Sequence, residues 1–240
     1  RGGGARGPAR GPPAVTGDGA SYPAPHRRQA LQVARDFSLS HEIVPTHELE
    51  RSGYRANAGD RCFHCKTELY ATLTAMAAAR GFAAVADGSN ADDRGDYRPG
   101  RQAARDHGVI SPLDECELGK DDIRALARDL GMTIWDAPAS ACLSSRVPHF
   151  TEVTAPVLRR IELAEDAVRA LGFRVFRVRH HGDLARLEFA RDEMSRALEP
   201  AVTAAVVSAV RASGYATVEI DPRGYRQGSL NEPLLLRPIS

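Results

Sequence analysis

A chain of 240 residues exceeds the usual single domain and implies one large or two modest ones. Hydrophobic residues at 42% and charged residues at 26% are ordinary for a globular protein. The formal net charge of +1 argues against broad electrostatic binding to nucleic acid or a membrane surface, and no apolar run approaches the roughly 20 residues that span a bilayer.

Residues 1–13, RGGGARGPARGPP, are Gly/Pro/Arg low complexity and are expected to be disordered. Their glycines lack the preceding strand and following helix that a phosphate loop requires. Ala14-Val15-Thr16 is a short apolar run closed by a Gly-Asp-Gly turn. A helix is expected over about His26 to Ser38, where Leu31, Val33, Ala34 and Phe37 share a face. His41 to Val44 reads as a short strand, Tyr54 to Asp60 as a loop, and Cys65 to Arg80 as a helix stopped by Gly81. Ala83 to Ala86 reads as a buried strand running into Asp87-Gly88-Ser89-Asn90, and Val109-Ile110 leads into Ser111-Pro112-Leu113.

Lys120-Asp121-Asp122 opens a further helix with acids suited to its N-terminus, Gly131 as its stop, and Ile123, Leu126, Ala127 and Leu130 as its expected buried face. Strands alternating with helices indicate a parallel α/β sheet with ligands at the carboxyl ends of the strands. After a loop over Pro138 to Phe150 the pattern restarts. A helix is expected over Thr154 to Leu171 and a strand over Phe173 to Arg179. A second strand, Leu184 to Phe189, pairs with it across a His-Gly-Asp turn, and a helix over Arg191 to Arg211 and a strand over Thr217 to Ile220 follow.

Several stretches carry groups that do chemistry. The loop Asp87 to Asp93 offers backbone N–H groups and carboxylates to a nucleotide or its Mg²⁺, or is simply a solvated turn. Tyr97 and Arg98 continue it with an aromatic and a guanidinium suited to an anion. Arg177 and Arg179 lie two apart on one strand, hence on one face, with His180 and His181 adjoining and Arg186 and Glu188 at the same spacing on the next. They form either an arginine-lined anion pocket or a salt-bridge ladder. Gly224-Tyr225-Arg226-Gln227-Gly228 either adds a cation to that pocket or is an ordinary glycine-bounded loop. Trp135 reads as core or an interdomain anchor.

Four cysteines are too few and too spread for a secreted disulfide framework, which points to a cytoplasmic setting. Cys116 sits among acids that disfavour a reactive thiolate. Cys62 and Cys65, with Cys142, suit three readings: a zinc site completed by His149 or Cys116, a redox pair that leaves Cys142 unexplained, or an iron–sulfur cluster with one iron open to sulfide or substrate.

The motifs DRCFHCK, DGSNADDRGDYRPG, KDDIRALARDLGM, ASACLSSR, FRVRHHGDLARLE and GYRQGSLN follow one another from about Ala14 to Glu232. Together they resemble the LarE-type ATP-dependent sulfur transferases. The resemblance implies an α/β fold: a Rossmann-like PP-loop (adenine nucleotide alpha hydrolase) domain over residues 14–149, then a smaller α/β sulfur-transfer domain over 150–240. It implies ATP with Mg²⁺, adenylylation of a carboxylate of pyridinium-3,5-biscarboxylic acid mononucleotide, and displacement of AMP by sulfur to give the thiocarboxylate of a nickel-pincer cofactor.

The same resemblance implies that Cys62, Cys65 and Cys142 hold a [4Fe-4S] cluster, and that Cys142, Arg177, Arg179 and Glu165 serve the reaction. It assigns Ser145, Arg146 and Glu188 to the substrate, and Asp87, Gly88 and Asn90 to the nucleotide; Tyr97, Arg98 and Arg226 join the substrate set on their own chemistry, as anion-gripping residues. The implied partners are ATP, a small nucleotide substrate and further copies of the chain, with neither nucleic acid nor membrane. The family opens with a strand, an SGGxDS loop and a helix, where this sequence has RGGGARGPARGPP. A truncated or misassigned N-terminus, deficient ATP turnover and poor stability are therefore expected. Other readings are a non-catalytic metal- or nucleotide-binding remnant, and another PP-loop thiolase or synthetase, with the weak net charge counting against tRNA.

Overall fold

The computed structural model describes residues 11–95, 99–137 and 141–226. In chain order these form β1 (Ala14–Asp18), α1 (Ala24–Asp36), β2 (His41–Pro45), α2 (Ser52–Ala56), α3 (Arg61–Ala79), α4 (Gly100–Asp106), α5 (Pro112–Glu115) and α6 (Lys120–Asp129). There follow α7 (Ala155–Ala170), β3 (Phe176–His181), β4 (Leu184–Phe189), α8 (Arg191–Ala197), α9 (Pro200–Ala212) and β5 (Thr217–Ile220). Short 3₁₀ turns lie at Glu48–Glu50, Ala91–Gly95 and Leu143–Arg146. The architecture is α/β. Among the described residues no helix is long and apolar enough to cross a membrane.

The chain divides into two compact units, Arg1–Thr46 with Lys66–Asp136, and His47–Cys65 with Ala137–Ser240. This division differs from a single boundary at 149/150, and hydrogen bonds show why. Asn57 Nδ2 donates to the carbonyls of Pro148 (2.8 Å) and Thr151 (3.0 Å), and Val153 N donates to Arg55 O (2.9 Å). These bonds join the strip around α2 to the residues after 137. Of the low-complexity stretch 1–13, residues 1–10 lie outside the described residues.

In the first unit β1 and β2 pair in parallel, Ala14 opposite His41 through Asp18 opposite Pro45. The expected buried strand at Ala83 to Ala86 is reduced to a single parallel bridge, Ala86 to Ile110, and Ala83, Ala84 and Ala86 are exposed. Alanines bring too little apolar area to anchor a strand by packing. Beside them a cavity of about 370 Å³ is lined by Val15, Leu73, Met76, Phe82, Val85 and Ile110 among others. The face of α6 expected to be buried is largely open, with Leu126 49% and Leu130 67% exposed.

In the second unit β3 pairs antiparallel with β4, and β4 pairs parallel with β5. Helix α7 is capped by Thr154, whose hydroxyl accepts from Val157 N. Its buried residues Leu158, Ile161, Ala164 and Val168 recur at helical spacing. The main core joins Ala164 and Val168 to Phe173, Phe176, Val178, Leu187, Phe189, Val206, Val210 and Tyr215. A second cluster joins Tyr54, Leu143, Val147, Val153, Leu158 and Ile161. Two expectations are corrected. Arg191 to Arg211 is two helices rather than one, because Pro200 has no N–H to continue the first and instead opens the second. Tyr54, placed in a loop by its sequence, is a fully buried residue of α2.

Candidate functional site

Period-two alternation on β3 sends Phe176, Val178 and His180 to one face and Arg177, Arg179 and His181 to the other. The first set meets the apolar core, so the arginines must find polar partners on the opposite side. Glu188 on β4 stands directly opposite Arg177 in the ladder. Arg179 donates from Nε (2.9 Å) and Nη2 (2.7 Å) to Glu188 Oε2, and from Nη1 to the Ser145 carbonyl (2.9 Å).

The turn Leu143–Arg146 is pinned from beneath. Leu143 is buried in the second cluster, and the buried hydroxyls of Ser144 and Tyr54 hydrogen-bond. Arg146 donates from Nε to Glu165 Oε1 (2.8 Å) and from Nη2 to Glu165 Oε2 (3.0 Å), a two-pronged pair with both side chains about 4% exposed. Its Nη1 donates to the carbonyls of Ala141 (2.9 Å) and Cys142 (3.0 Å) and to Ser145 Oγ (2.9 Å). Glu165 Oε1 also accepts the N–H of Val178 (3.2 Å), on the edge strand of the sheet.

Arg177 is held differently. Its Nη1 donates to Phe176 O (2.7 Å), and its guanidinium lies 4.7 Å from the centre of the Tyr225 ring. Burial first, and then the neighbouring Arg146, push the Arg177 guanidinium below its ordinary value. Three guanidiniums thus gather against two carboxylates, Glu165 and Glu188. Guanidinium forks gathered in this way suit a phosphate or carboxylate.

Cys142 immediately precedes the turn, and its carbonyl is fixed by Arg146. Cys62 and Cys65 lie near the start of α3, which begins four residues earlier than the sequence suggests, with Cys62 exposed and Cys65 half-buried against the Tyr54 cluster. None of the three is in a disulfide. The two cysteine-bearing segments are tied together by Asn57, which accepts from Arg61 Nη1 and donates to the carbonyls of Pro148 and Thr151. Three thiols suit a soft metal or an iron–sulfur cluster. However, among the described residues no group of three or more His, Cys, Asp or Glu stands close enough to hold a metal ion. The donor chemistry of the three thiols fits such a group.

In the first unit Asp87 accepts from Tyr70 OH (2.6 Å), Ser111 Oγ (2.7 Å), Ser89 N (3.1 Å) and Ser89 Oγ (2.9 Å). Burial would raise this carboxyl, but those hydrogen bonds outweigh it and hold Asp87 below its usual range. Both carboxylate oxygens are engaged within the protein, so Asp87 shapes its loop. Gly88 is open to solvent around its Cα, and Asn90 N donates to Asp93 Oδ2 (3.2 Å). Tyr97 and Arg98 lie outside the described residues.

The structure therefore brings together Ser145, Arg146, Glu165, Arg177, Arg179 and Glu188, with Cys142 beside them. Arg226 follows Tyr225 in the loop after β5. Sequence reasoning passed over Tyr225, Tyr54 and Asn57. Tyr225 stood in a motif already singled out, and an aromatic beside an arginine strand was the available signal. Tyr54 and Asn57 gave none, because a five-residue helix has no periodicity to read.

A two-unit α/β protein with a buried arginine–carboxylate cluster beside a cysteine is the class that fold and site define. No family model matches the chain. It is 39% identical over 201 residues to an uncharacterized protein of Synechocystis sp., covering 84% of this chain and 75% of that one. It is 34% identical over 206 residues to the pyridinium-3,5-bisthiocarboxylic acid mononucleotide synthase of Lactiplantibacillus plantarum, covering 86% of this chain and 74% of that one. An uncharacterized protein of Methanocaldococcus jannaschii is 28% identical over 167 residues, 70% of this chain and 63% of that one. The chain belongs to the LarE-type family that includes the Lactiplantibacillus synthase.

Proposed function

We propose that this protein is an ATP-dependent sulfur transferase that makes a thiocarboxylate from a substrate carboxylate, the substrate being a pyridinium carboxylic acid mononucleotide. The observation that carries the reading is the cluster of buried Arg146 and Arg179 and half-buried Arg177 against Glu165 and Glu188, immediately beside Cys142. Such a cluster suits a substrate bearing a phosphate and carboxylates. The synthase name of the Lactiplantibacillus relative supports the choice of product.

A carboxylate carbon is a poor electrophile, so the reaction needs activation. A carboxylate oxygen attacks the α-phosphorus of ATP, the bond to pyrophosphate breaks, and an acyl adenylate results. A sulfur nucleophile such as hydrosulfide then adds to the carbonyl carbon. The tetrahedral intermediate collapses, the bond to AMP breaks with its electron pair, and the thiocarboxylate remains. Arg177 and Arg179 stabilise the oxyanion and phosphate charge that develop, and Ser145 and Arg146 shape the pocket wall. Glu165 and Glu188 hold the guanidinium planes rather than touching substrate.

The nucleotide role of Asp87, Gly88 and Asn90 belongs to the same proposal, within a Rossmann-like PP-loop unit, with Mg²⁺ arriving on ATP. The cysteines stay candidates for sulfur supply. A [4Fe-4S] cluster on Cys62, Cys65 and Cys142 would provide an open iron for sulfide. No step above depends on it.

The direct test is incubation of anaerobically purified protein with ATP, Mg²⁺, sulfide and pyridinium-3,5-biscarboxylic acid mononucleotide, followed by mass spectrometry. A gain of 16 mass units per carboxylate, an oxygen exchanged for sulfur, with release of AMP and pyrophosphate supports the reading. AMP release with an unchanged substrate mass, or no AMP at all, rejects it. Iron and acid-labile sulfide lost in Cys142→Ala would establish the cluster, and stoichiometric zinc without iron would reject it.

A further inference from the structure

The loop after β5 is built with unusual care for a chain segment that carries no core residue. Asp221 N donates to Leu187 O (2.8 Å) and Gly224 N to Asp221 O (3.0 Å). The Asp221 carboxylate accepts from Arg223 N (2.9 Å) and Nη2 (2.9 Å), and these bonds hold it at about 2, below the ordinary carboxylate range. Tyr225 N then donates to Phe189 O (2.7 Å), fastening the loop to the end of β4. Gly224 is required at its position. Its φ is +70°, and a Cβ there would stand 2.9 Å from the Phe189 carbonyl oxygen.

The outcome of this bracing is the position of one ring. Tyr225 presents its face to the Arg177 guanidinium at 4.7 Å, with its hydroxyl 3.5 Å from Nη2. Each of the three clustered arginines is thus oriented by a different device. Glu165 grips Arg146 through both of its oxygens, Glu188 grips Arg179, and Tyr225 stacks on Arg177. The third device differs in kind, because an aromatic face orients a guanidinium plane while adding no negative charge.

We infer that Tyr225 is a positioning residue for the anionic substrate, acting through Arg177 by setting the plane of its guanidinium. The inference rests on the arginine cluster being the substrate site. Nicotinic acid mononucleotide, which carries a pyridinium ring, a carboxylate and a phosphate, is a suitable probe, titrated into the full chain by calorimetry.

The unaltered protein is expected to bind it, and Tyr225→Ala to bind about tenfold more weakly, in line with a partly buried cation–π contact. Tyr225→Phe keeps the ring and is expected to recover to within about threefold of the unaltered protein. Tyr225→Ala combined with Arg177→Lys is expected to be no weaker than Arg177→Lys alone, since the tyrosine acts only through the arginine. A merely structural tyrosine would shift the melting temperature without this coupling. Unchanged binding by Tyr225→Ala, losses that multiply in the double variant, or no recovery in Tyr225→Phe would each overturn the inference while leaving the site reading intact. Failure of the unaltered protein to bind the probe would overturn both.

Discussion

The two units are made from similar residues and hold themselves together in different ways. In the second, both buried clusters interlock aromatic and branched side chains, and Val178, Leu187, Phe189, Val206 and Val210 are fully enclosed. In the first, the described buried apolar residues are Ala34, Tyr70, Ala103 and Ala104, while Phe37, Ile43, Phe82, Ile110, Leu126, Leu130 and Trp135 are exposed. The polar groups follow the same division. The second unit buries two-pronged ion pairs, and the first folds a carboxylate, Asp87, into hydrogen bonds from hydroxyls and an amide. Buried charges keep a fixed geometry only where a dense core surrounds them, so the arginine cluster stands where packing can hold it.

The sharpest way to break this comparison is to hollow the denser unit. Phe189→Ala is expected to destabilise it by about 4 kcal/mol, read by chemical denaturation with amide exchange on β3 and β4. A loss under about 1 kcal/mol would mean that the enclosure is not matched by packing energy. Next comes Glu165→Gln, which leaves Arg146 buried without its anion and the Val178 N–H with a weaker acceptor. A loss of about 3 kcal/mol is expected, together with loss of anion binding. Stability unaffected by that change would show that the pair is readily solvated.

Acidification should act on the same unit. Burial, and then Arg160, lower His180, while burial, and then Arg186, lower His181, so both are neutral in the fold and charge more easily when unfolded. Their contribution is therefore complete above pH about 6.5, the unfolded value, and is lost as pH falls from there toward the folded values. Denaturation midpoints at pH 7.5 and 5.5 should show this fall, and His180→Asn should flatten it. The smallest effect belongs to the first unit. Leu130→Ala, at a side chain already 67% exposed, should change stability by under about 0.5 kcal/mol. A larger loss would reveal that the face of α6 is covered in solution.

Much of the molecule was legible beforehand because its signals are local. The periodicity of Val157, Ile161, Ala164 and Val168 marked α7, where the structure buries Leu158 rather than Val157, and two-residue spacing put Arg177 and Arg179 on one face of β3. Misreadings fell where local signals are weak or conflict with packing. The apolar run at Ala83 to Ala86 has strand character but too little side chain to be held as one, and Tyr54 is helical only because a tertiary cluster closes over it.

What the sequence determined by itself is the α/β alternation, the paired arginines and the cysteine spacing, because each follows from backbone periodicity and residue type. Tertiary structure alone decided which charges meet. Glu165 lies 19 residues from Arg146, and Tyr225 lies 48 from Arg177. A guanidinium's partner is fixed by which distant element packs beside it, and no local pattern encodes that choice.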